Sequence, residues 1–584
     1  MSMTSELTPS TTRPESSVER LLAGFTVADG LMVGIGLLAA WLRLGDLARL
    51  PLSAAEATAA LPSYHFWSAG AAVLPPVSPA YFTFTNLIMG LGGNGDAAAR
   101  LVPALFGVLT VLLLWAWRKR AHPAAWLVPA LFMALSPLLT AVSRTAGGDA
   151  IALFALLLIV AAGWGDEMGR GRAVALGVGV GLGLTSSPLF YTGLAGLLPA
   201  VWVAGAGRPS LSGRAFRTAA LAAALTFLLV ASFGLFYTPG IGASLRLFPA
   251  WLGQFGLQAG PESATAPLFS PWLTLLRYEP AIFVLGVPAA VWAFLRRDRH
   301  GLAMVIWLIG ALLIALLQPD TPANLTAALP AGYLLVGLFA AMLAAAREHH
   351  PIDERRMFWS TAIGLMGLGA LVLAAFGRFA RLDLLTGENA NLILLSALAF
   401  VMAGLAVILA MGWESAAARR GAFVGLAALL LFWQWGTAMQ LSRLGANDPR
   451  ERWVISATDD DVQLMADVVR SASWQLANSG RDLRIFSMVE SPALDWYMRD
   501  YVGYQSGAAV PLELRADVVI TPLGAELALP DDYFGTDFAL TQHKIPDAGP
   551  ATLSDRLKWL LFRDSTAPTE TERVVLWVRS DLAR

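Results

Sequence analysis

Thirteen apolar segments constrain this chain more than any other feature of its sequence. A membrane-spanning helix needs about 20 mainly apolar residues, and an unpaired backbone polar group cannot face lipid. The chain has 584 residues, of which 56% are hydrophobic and 14% charged, whereas about 25% are charged in soluble domains. We therefore predict a polytopic α-helical membrane protein. The segments lie near residues 26–42, 99–117, 124–141, 149–164, 173–186, 189–204, 218–236, 278–295, 301–317, 324–345, 357–377, 391–411 and 421–440.

The positive charges of the loops predict an orientation. If the N-terminus is cytoplasmic, the inner loops carry eighteen Lys and Arg residues, and the outer loops before residue 441 carry seven, or eight with Arg100. Cytoplasmic loops are enriched in Lys and Arg, so this arrangement is the favoured one. An odd number of spans then puts the C-terminal region outside the cell. We expect a multi-pass protein of the cell membrane.

The pattern divides the chain into three parts. Residues 1–24 are rich in Ser and Thr and lack the features of a signal peptide, which predicts a disordered cytoplasmic tail. Residues 25–446 form the membrane domain. Its two long outer loops, 43–98 and 237–277, mix apolar and aromatic residues with prolines. Such loops suit helices lying along the membrane surface, and short re-entrant packing segments are the alternative.

Residues 447–584 have the composition of a small α/β domain outside the membrane. From Val462 onward, small or apolar residues recur at i, i+3, i+4 and i+7, the spacing of an amphipathic helix. Short apolar runs predict strands at 483–488, 516–521 and 573–578. Between the first two, Ser491 and Pro492 are suited to the start of a helix over 491–501, and "DRLKWLLFR" predicts another helix.

Composition excludes several kinds of chemistry. The chain has no cysteine, which rules out disulfides, thiolate metal sites and a cysteine nucleophile. Its six histidines show no metal-ligand spacing, and no phosphate-binding loop, catalytic triad or zinc motif is present. The net charge of −1 gives no indication of nucleic-acid binding.

Three stretches resemble a known class of membrane enzymes. They are "WLRLGDLARLPLSAAEA", the segment from "SPAYFTFTNLIMGLGG" to "LVPALFGVLTVLLLW", and "LSPLLTAVSRTAGGDA". Their order resembles the GT-C membrane glycosyltransferases, in particular the dolichyl-phosphate-mannose–protein mannosyltransferase-like proteins. Within these, "SPALDWYMRDY" and "ADVVIT" are similar to the C-terminal domain of the flippase-activity-associated protein group. The resemblance implies a GT-C-like body of about 13 transmembrane helices with a small extracytoplasmic α/β domain.

The resemblance also implies an activity. Such a protein transfers a sugar from a polyprenyl-phosphate-linked donor in the lipid bilayer to an acceptor, a protein or a glycan, at the outer membrane face. A carboxylate must accept or orient the acceptor proton, and either cationic groups or a divalent metal must neutralise the leaving phosphate. An apolar groove must hold the polyprenyl tail. The alternative is a catalytically inactive protein that serves glycan export or assembly as a lipid-binding or scaffold component.

Two carboxylates are the implied catalytic candidates. Glu56 matches the second member of the family's Asp-Glu pair, while Ala55 replaces the first. Asp149 could supply the missing carboxylate only if the first outer loop folds back over the turn that contains Arg144. The alternatives are that Glu56 caps a surface helix, and that Arg144 and Asp149 form an ion pair at the helix ends.

The substrate-binding candidates are Arg43, Arg100, Arg144, Arg277 and Tyr278, all near predicted membrane borders. An arginine fork suits a phosphate. Snorkelling is the alternative for Arg43 and Arg100, and interfacial anchoring is the alternative for Tyr278. A late outer loop that carries a basic residue in related transferases reads "QPDTPANLTAALP" here, with no Lys or Arg. The sequence thus departs from the family pattern twice.

Overall fold

The computed structural model describes most of the chain. The described residues are 25–68, 73–164, 168–205, 212–255, 270–318, 321–346, 351–381, 415–449, 451, 453–454, 456–477, 481–508, 516–525, 533–544, 559 and 569–580. They form a mainly helical body followed by a small sheet domain.

Helices account for the apolar segments of the sequence. Twelve of the thirteen predicted segments contain helix, and the thirteenth, near 391–411, lies outside the described residues. Seven described helices are long and apolar enough to cross a membrane, and a helix pair bent by 65°, Pro123–Leu135 with Pro137–Ser143, meets the same criteria when its two parts are taken together. Three further apolar helices are shorter. The chain is therefore a multi-pass membrane protein, and the exact count of thirteen spans stays a prediction.

The helices of the body are numbered here in chain order. They are α1 Val27–Leu44, α2 Ala54–Trp67, α3 Pro79–Gly90, α4 Asp96–Leu112, α5 Pro123–Leu135, α6 Pro137–Ser143, α7 Asp149–Gly163, α8 Arg170–Leu184, α9 Leu189–Gly205, α10 Gly213–Ala231, α11 Pro239–Gly253, α12 Ser270–Tyr278, α13 Pro280–Val284, α14 Gly286–Arg296, α15 Arg299–Leu316, α16 Leu329–Ala345, α17 Pro351–Arg381 and α18 Ala416–Met439. A 3₁₀ segment, Pro322–Ala328, precedes α16, and a π-helical turn, Gln440–Leu444, follows α18.

Both long loops, which the sequence predicts to lie outside, contain helices. The first holds α2 and α3, and the second holds α11 and α12. Buried residues of α2 and α3, including Ala57, Ala60 and Tyr81, belong to the main hydrophobic core. The helices of the first loop thus pack against the body, and the choice between helices along the membrane surface and re-entrant segments stays a prediction.

The C-terminal domain is a mixed sheet with two helices. Its strands are β1 Ser456–Thr458, β2 Arg484–Ser487, β3 Gly503–Ser506, β4 Val518–Pro522, β5 Tyr533–Lys544 and β6 Thr569–Arg579, and its helices are α19 Asp461–Ala477 and α20 Pro492–Met498. The strand order is β1-β5-β6-β4-β2-β3. β2 is parallel to β3 and β4, and the other pairs are antiparallel.

The core of this domain follows the sequence pattern. Val462, Met465, Ala466 and Val469 of α19 pack in one cluster with sheet residues such as Ile520. The three predicted strands are present as β2, β4 and β6, and the predicted helix over 491–501 is α20. The predicted helix "DRLKWLLFR" lies outside the described residues, except for Trp559.

One carboxylate attaches the sheet domain to the body. Asp96, the first residue of α4, accepts hydrogen bonds from the Trp496 indole and the Tyr497 hydroxyl, both at 2.7 Å, and from the Gln463 amide at 3.3 Å. The Tyr497 hydroxyl also accepts from the Leu52 N–H at 3.0 Å. The sheet domain therefore sits beside the start of α2, where the candidate site begins.

Candidate functional site

A cavity of about 340 Å³ lies at the end of the body that faces the sheet domain. Its walls come from the first outer loop, the turn between α6 and α7, the 3₁₀ segment and the π-helical turn. Leu50, Val142 and Leu441 contribute apolar surface. The charged side chains of its lining are Asp46, Arg49, Glu56, Arg100, Arg144, Asp149 and Arg443.

A broken helix forms one wall of the cavity. Pro137 has no N–H and cannot continue α5 without a break, and the axis turns by 65° into α6. Arg43 donates to the last carbonyls of α5, at Met133 (2.9 Å) and Ala134 (3.0 Å). Glu279 accepts from the Leu138 N–H at the start of α6. A cation at the C-terminus of α5 matches its helix dipole, and the Glu279 carboxyl oxygen accepts from an N–H at the start of α6, so these two side chains stabilise the break.

The turn after α6 brings Asp149 into the cavity wall. A side chain at Gly148 would place its Cβ 2.1 Å from the Ser186 carbonyl oxygen and 2.3 Å from the Ser78 hydroxyl. Only glycine permits this approach. The turn is thereby held against its neighbours, and Asp149 follows it as the first residue of α7.

Glu56 is buried, and its carboxylate is fully occupied. Oε1 accepts from Arg100 Nε (2.7 Å) and the Ala146 N–H (2.9 Å), while Oε2 accepts from Arg100 Nη2 (2.7 Å) and the Ser53 N–H (3.0 Å). These four bonds fill its approximately four lone-pair sites. Burial alone would raise its pKa, but the Arg100 charge and these hydrogen bonds hold the pKa of Glu56 below its ordinary value.

Arg100 is occupied to the same degree. Besides its two bonds to Glu56, its guanidinium donates to the carbonyls of Leu47 (3.0 Å), Leu50 (2.7 Å) and Pro51 (2.9 Å). An arginine has five N–H donors, and all five are used. The Glu56–Arg100 pair thus fastens the first outer loop to α4 and to the turn after α6. As placed here, Arg100 has no donor left for a phosphate.

Asp149 differs from Glu56. Its side chain is half-buried in the lining of the cavity, with the Ser187 hydroxyl as a nearby donor. The structure gives Arg144 other partners: it donates to the carbonyls of Leu42, Arg43, Gly45 and Asp46, at 2.6 to 3.2 Å. The anticipated ion pair between Arg144 and Asp149 is therefore not formed.

Three arginines of the lining keep donors that can reach a ligand. Arg144 donates through Nη1 and through one N–H of Nη2, and its side chain is half-buried. Its burial, and then the charges of Arg443 and Arg100, lower the pKa of Arg144 to about 10. Arg443 contacts Asp46 (3.2 Å) and the Trp41 carbonyl (3.1 Å), and its buried Nε has no partner among the described residues. Arg49 is exposed. Arg443 and Arg100 add to the effect of burial on the pKa of Arg144, so an anion bound between these guanidinium groups would relieve their mutual repulsion.

Glu56, Arg100, Arg144 and Asp149 therefore line one cavity, with Ala55 exposed beside them. The other candidates lie elsewhere. Arg43 donates its hydrogen bonds to the α5 carbonyls. Arg277 is buried and stacks over Trp433 with 5.2 Å to the ring centroid, and the Tyr278 hydroxyl donates to the Glu451 carboxylate. None of these three belongs to the lining of the cavity.

The sequence analysis missed Arg443 and Arg49 as site residues. Arg443 follows the last apolar helix, immediately before the composition changes. Its position at the end of the final predicted span was the signal by which the sequence could have identified it as a site residue. Thr321, Pro322 and Ala323, from the late loop without a basic residue, line the same cavity as Arg443. Another element thus brings a cation to that cavity. Among the described residues, no three His, Asp or Glu side chains gather as ligands for a metal.

Comparisons with known proteins agree with this architecture. Residues 75–236 match the dolichyl-phosphate-mannose-protein mannosyltransferase family. No curated protein matches the chain in sequence. The crystal structure of ArnT from Cupriavidus metallidurans in the apo state superposes with a TM-score of 0.54 at 15% identity, covering 97% of this chain and 99% of that one.

The same protein bound to undecaprenyl phosphate gives a TM-score of 0.51 at 16% identity, over the same shares of both chains. An Archaeoglobus fulgidus oligosaccharyltransferase, tethered to an acceptor peptide, gives 0.40 at 13% identity, covering 82% of this chain and 63% of that one. The full-length superposition on ArnT shows the fold. The chain has the GT-C fold of membrane glycosyltransferases, with a mannosyltransferase-like segment.

Proposed function

We propose that this GT-C-fold membrane protein transfers a sugar from a polyprenyl-phosphate-linked donor to an acceptor at the outer membrane face. The observation that carries the proposal is the cavity itself. It combines one open carboxylate, Asp149, with three arginines, Arg49, Arg144 and Arg443, that retain hydrogen-bond donors. The arginines can neutralise an anionic leaving group, and the carboxylate can accept the proton that the acceptor loses. These are the two requirements of the transfer reaction.

Asp149 is the proposed general base. It would accept the proton of the acceptor hydroxyl as the new glycosidic bond forms, and the bond from the sugar to the donor phosphate breaks. A positioned carboxylate typically contributes 10² to 10⁴ in rate, roughly. Glu56 is assigned a positioning role, because its four lone-pair sites are filled and its pKa is held low.

The arginines are the proposed holders of the donor phosphate. Charge-assisted bonds from a guanidinium fork to phosphate are the strong class of hydrogen bond, and they counter the charge that develops on the leaving group. Leu441, Val142 and Pro322 give the cavity an apolar side that suits the first isoprene units. That ArnT is seen bound to undecaprenyl phosphate supports the same class of lipid here.

One observation favours a second candidate function. Ala55 stands where the family has an aspartate, and the neighbouring Glu56 has no free lone pair. A protein that binds polyprenyl phosphate without transferring the sugar would need the arginines and not Asp149. Such a lipid-binding or scaffold component of glycan assembly would keep the cavity and lack the activity.

Sugar transfer from a labelled polyprenyl-phosphate donor separates these functions. Wild type, Asp149→Asn and Arg443→Gln are compared in membranes at matched expression, with binding of unlabelled polyprenyl phosphate measured in parallel. The transferase proposal expects transfer by wild type, loss in Asp149→Asn with lipid binding retained, and weaker lipid binding in Arg443→Gln. Lipid binding by wild type with no transfer to any protein or glycan acceptor of a broad panel would leave the non-catalytic function.

A further inference from the structure

A second cavity, of about 830 Å³, lies in the cleft between the body and the sheet domain. Its walls come from the C-terminal half of α2, the turn before α4, and the segment from α20 to β3. It is separate from the site above: Ala55, at the start of α2, lines the first cavity, and His65, ten residues later, lines the second. At 1.5 Å per residue the two lie about 15 Å apart along one helix.

Aromatic rings line this cleft. Trp67 is 54% exposed, yet it is fixed: its indole N–H donates to the Asn86 carbonyl at 3.2 Å. Gly90 permits this placement, since a Cβ there would lie 2.8 Å from the ring. Tyr64 and Tyr504 line the same cleft. Rigid aromatic faces provide contact area at low entropic cost, and the C–H face of a pyranose ring is a matching surface.

Two carboxylates in the cleft each accept a hydrogen bond from the described part of the chain on one oxygen only. Asp500 accepts from the Tyr64 hydroxyl at 2.6 Å, and Asp495 accepts from the Tyr504 hydroxyl at 2.7 Å. Each bond uses one oxygen and fixes the carboxylate, while the second oxygen has no hydrogen bond from any described residue. Oriented acceptors next to aromatic faces suit a ligand with many hydroxyl groups, because each hydroxyl needs a partner when it leaves water.

The charge of the cleft argues against an anionic ligand. Asp495 and Asp500 are balanced by Arg481 and Arg499 in the lining. Arg499 is engaged already: it stacks over Trp496 with 3.7 Å to the ring centroid and donates to the Asn94 carbonyl at 2.5 Å. The first cavity has four arginines and three acidic residues. The two cavities therefore differ in charge, and the second suits a neutral ligand.

We propose that this cleft binds a neutral oligosaccharide. As an acceptor chain it would extend along α2 toward the first cavity, and that part of the inference rests on the proposed function. The binding itself does not. Trp67 stacks on a sugar ring, and the free oxygens of Asp495 and Asp500 accept from its hydroxyls.

Saturation-transfer NMR on the full-length protein in detergent tests the binding. The neutral probes are cellotetraose, maltotetraose and mannotetraose. A peptide and an anionic heparin tetrasaccharide are tested as probes of two other ligand classes. We expect at least one neutral probe to bind, with affinity at least about 10-fold weaker in Trp67→Ala and in Asp500→Asn. Trp474→Ala is the control, because Trp474, on α19 of the sheet domain, is 57% exposed, much like Trp67, and does not line the cleft.

The two proposals fail separately. Trp67-dependent binding in Asp149→Asn, where transfer is lost, supports the cleft independently of catalysis. If transfer occurs, Trp67→Ala should raise KM for an oligosaccharide acceptor and leave kcat unchanged. Three results would overturn the inference. The first is equal binding by wild type, Trp67→Ala and Asp500→Asn at unchanged thermal stability. The others are no binding of any of the three neutral probes, and Trp67-dependent binding of the peptide or heparin probe alone.

Discussion

Glu56 and Asp149 face the same cavity and differ in almost everything else. Glu56 is 5% exposed and accepts four hydrogen bonds, two of them from Arg100. Asp149 is half-buried and lies at the start of α7 after a turn held by Gly148. Both are carboxylates, so their residue type does not distinguish them. The difference teaches that occupancy, rather than proximity to a cavity, decides which carboxylate can take a proton.

The largest expected effect is on chemistry, at Asp149. Asp149→Asn removes the open acceptor and keeps the shape of the side chain, so sugar transfer should fall by roughly 10² to 10⁴. Donor binding should change little, because the arginines remain. Single-turnover transfer from a labelled polyprenyl-phosphate donor measures the loss. Transfer within about 3-fold of wild type, well below the range of a general base, would remove Asp149 from the mechanism.

The second effect is on stability, at Glu56. Glu56→Gln leaves Arg100 buried without its counter-charge, and breaking a buried pair costs about 3 to 5 kcal/mol. We expect a clear loss of thermal stability in detergent. The control is Asp467→Asn, which breaks the exposed pair with Arg470 and should cost at most about 1 kcal/mol. Equal stability losses in the two variants would contradict the distinction.

The pH dependence follows from the same pair. The pKa of Glu56 is lowered in the folded state, so its stabilising contribution is present above the unfolded pKa of about 4.3. It is lost as the pH falls through the lower folded value. The stability difference between wild type and Glu56→Gln should therefore be constant near neutral pH and shrink below about pH 4. A difference that grows on acidification would have the wrong sign.

A smaller effect is expected at Arg443. Hydrogen bonds to charged groups contribute about 1.5 to 3 kcal/mol, so Arg443→Gln should raise the donor KM by roughly 10- to 150-fold. Arg420→Gln, in the helix α18 that leads into the π-helical turn of Arg443, is the control, since Arg420 contacts Glu354 and does not line the cavity. Parallel losses in both variants would assign the effect to helix stability.

The sequence predicted the fold well and the site in part. Long apolar segments and the i, i+4 pattern around Val462 are local signals, and they identified the body and α19. The gathering of Glu56, Arg144 and Asp149 depended on a resemblance that also suggested Arg43. Arg43 and Arg100 could not be assigned from sequence, because a guanidinium that binds phosphate and one that caps carbonyls look alike until the carbonyls are placed. Arg443 lines the same cavity as Arg144, although the two arginines are 299 residues apart in the sequence.

The smallest effect is expected at Ala55, and it is the most discriminating. Ala55 is exposed and lines the cavity next to Glu56, so Ala55→Asp adds a carboxylate to open space without disturbing the Glu56–Arg100 pair. In the wild-type background Asp149 already provides the base, and transfer should stay within about 3-fold, small against the range of a general base.

In the Asp149→Asn background the same substitution should restore transfer by about 10-fold or more, because it supplies an unoccupied carboxylate in the lining of the same cavity. The control is Ala55→Asn, which adds the same volume without a base and should restore nothing. Rescue by both substitutions would mean that Asp149 acts through packing or hydrogen bonding. Rescue by neither, with the donor still bound, would mean that the position of Asp149 matters as much as its open lone pairs. Rescue by aspartate alone would show that an open carboxylate, at either position, is what this cavity requires.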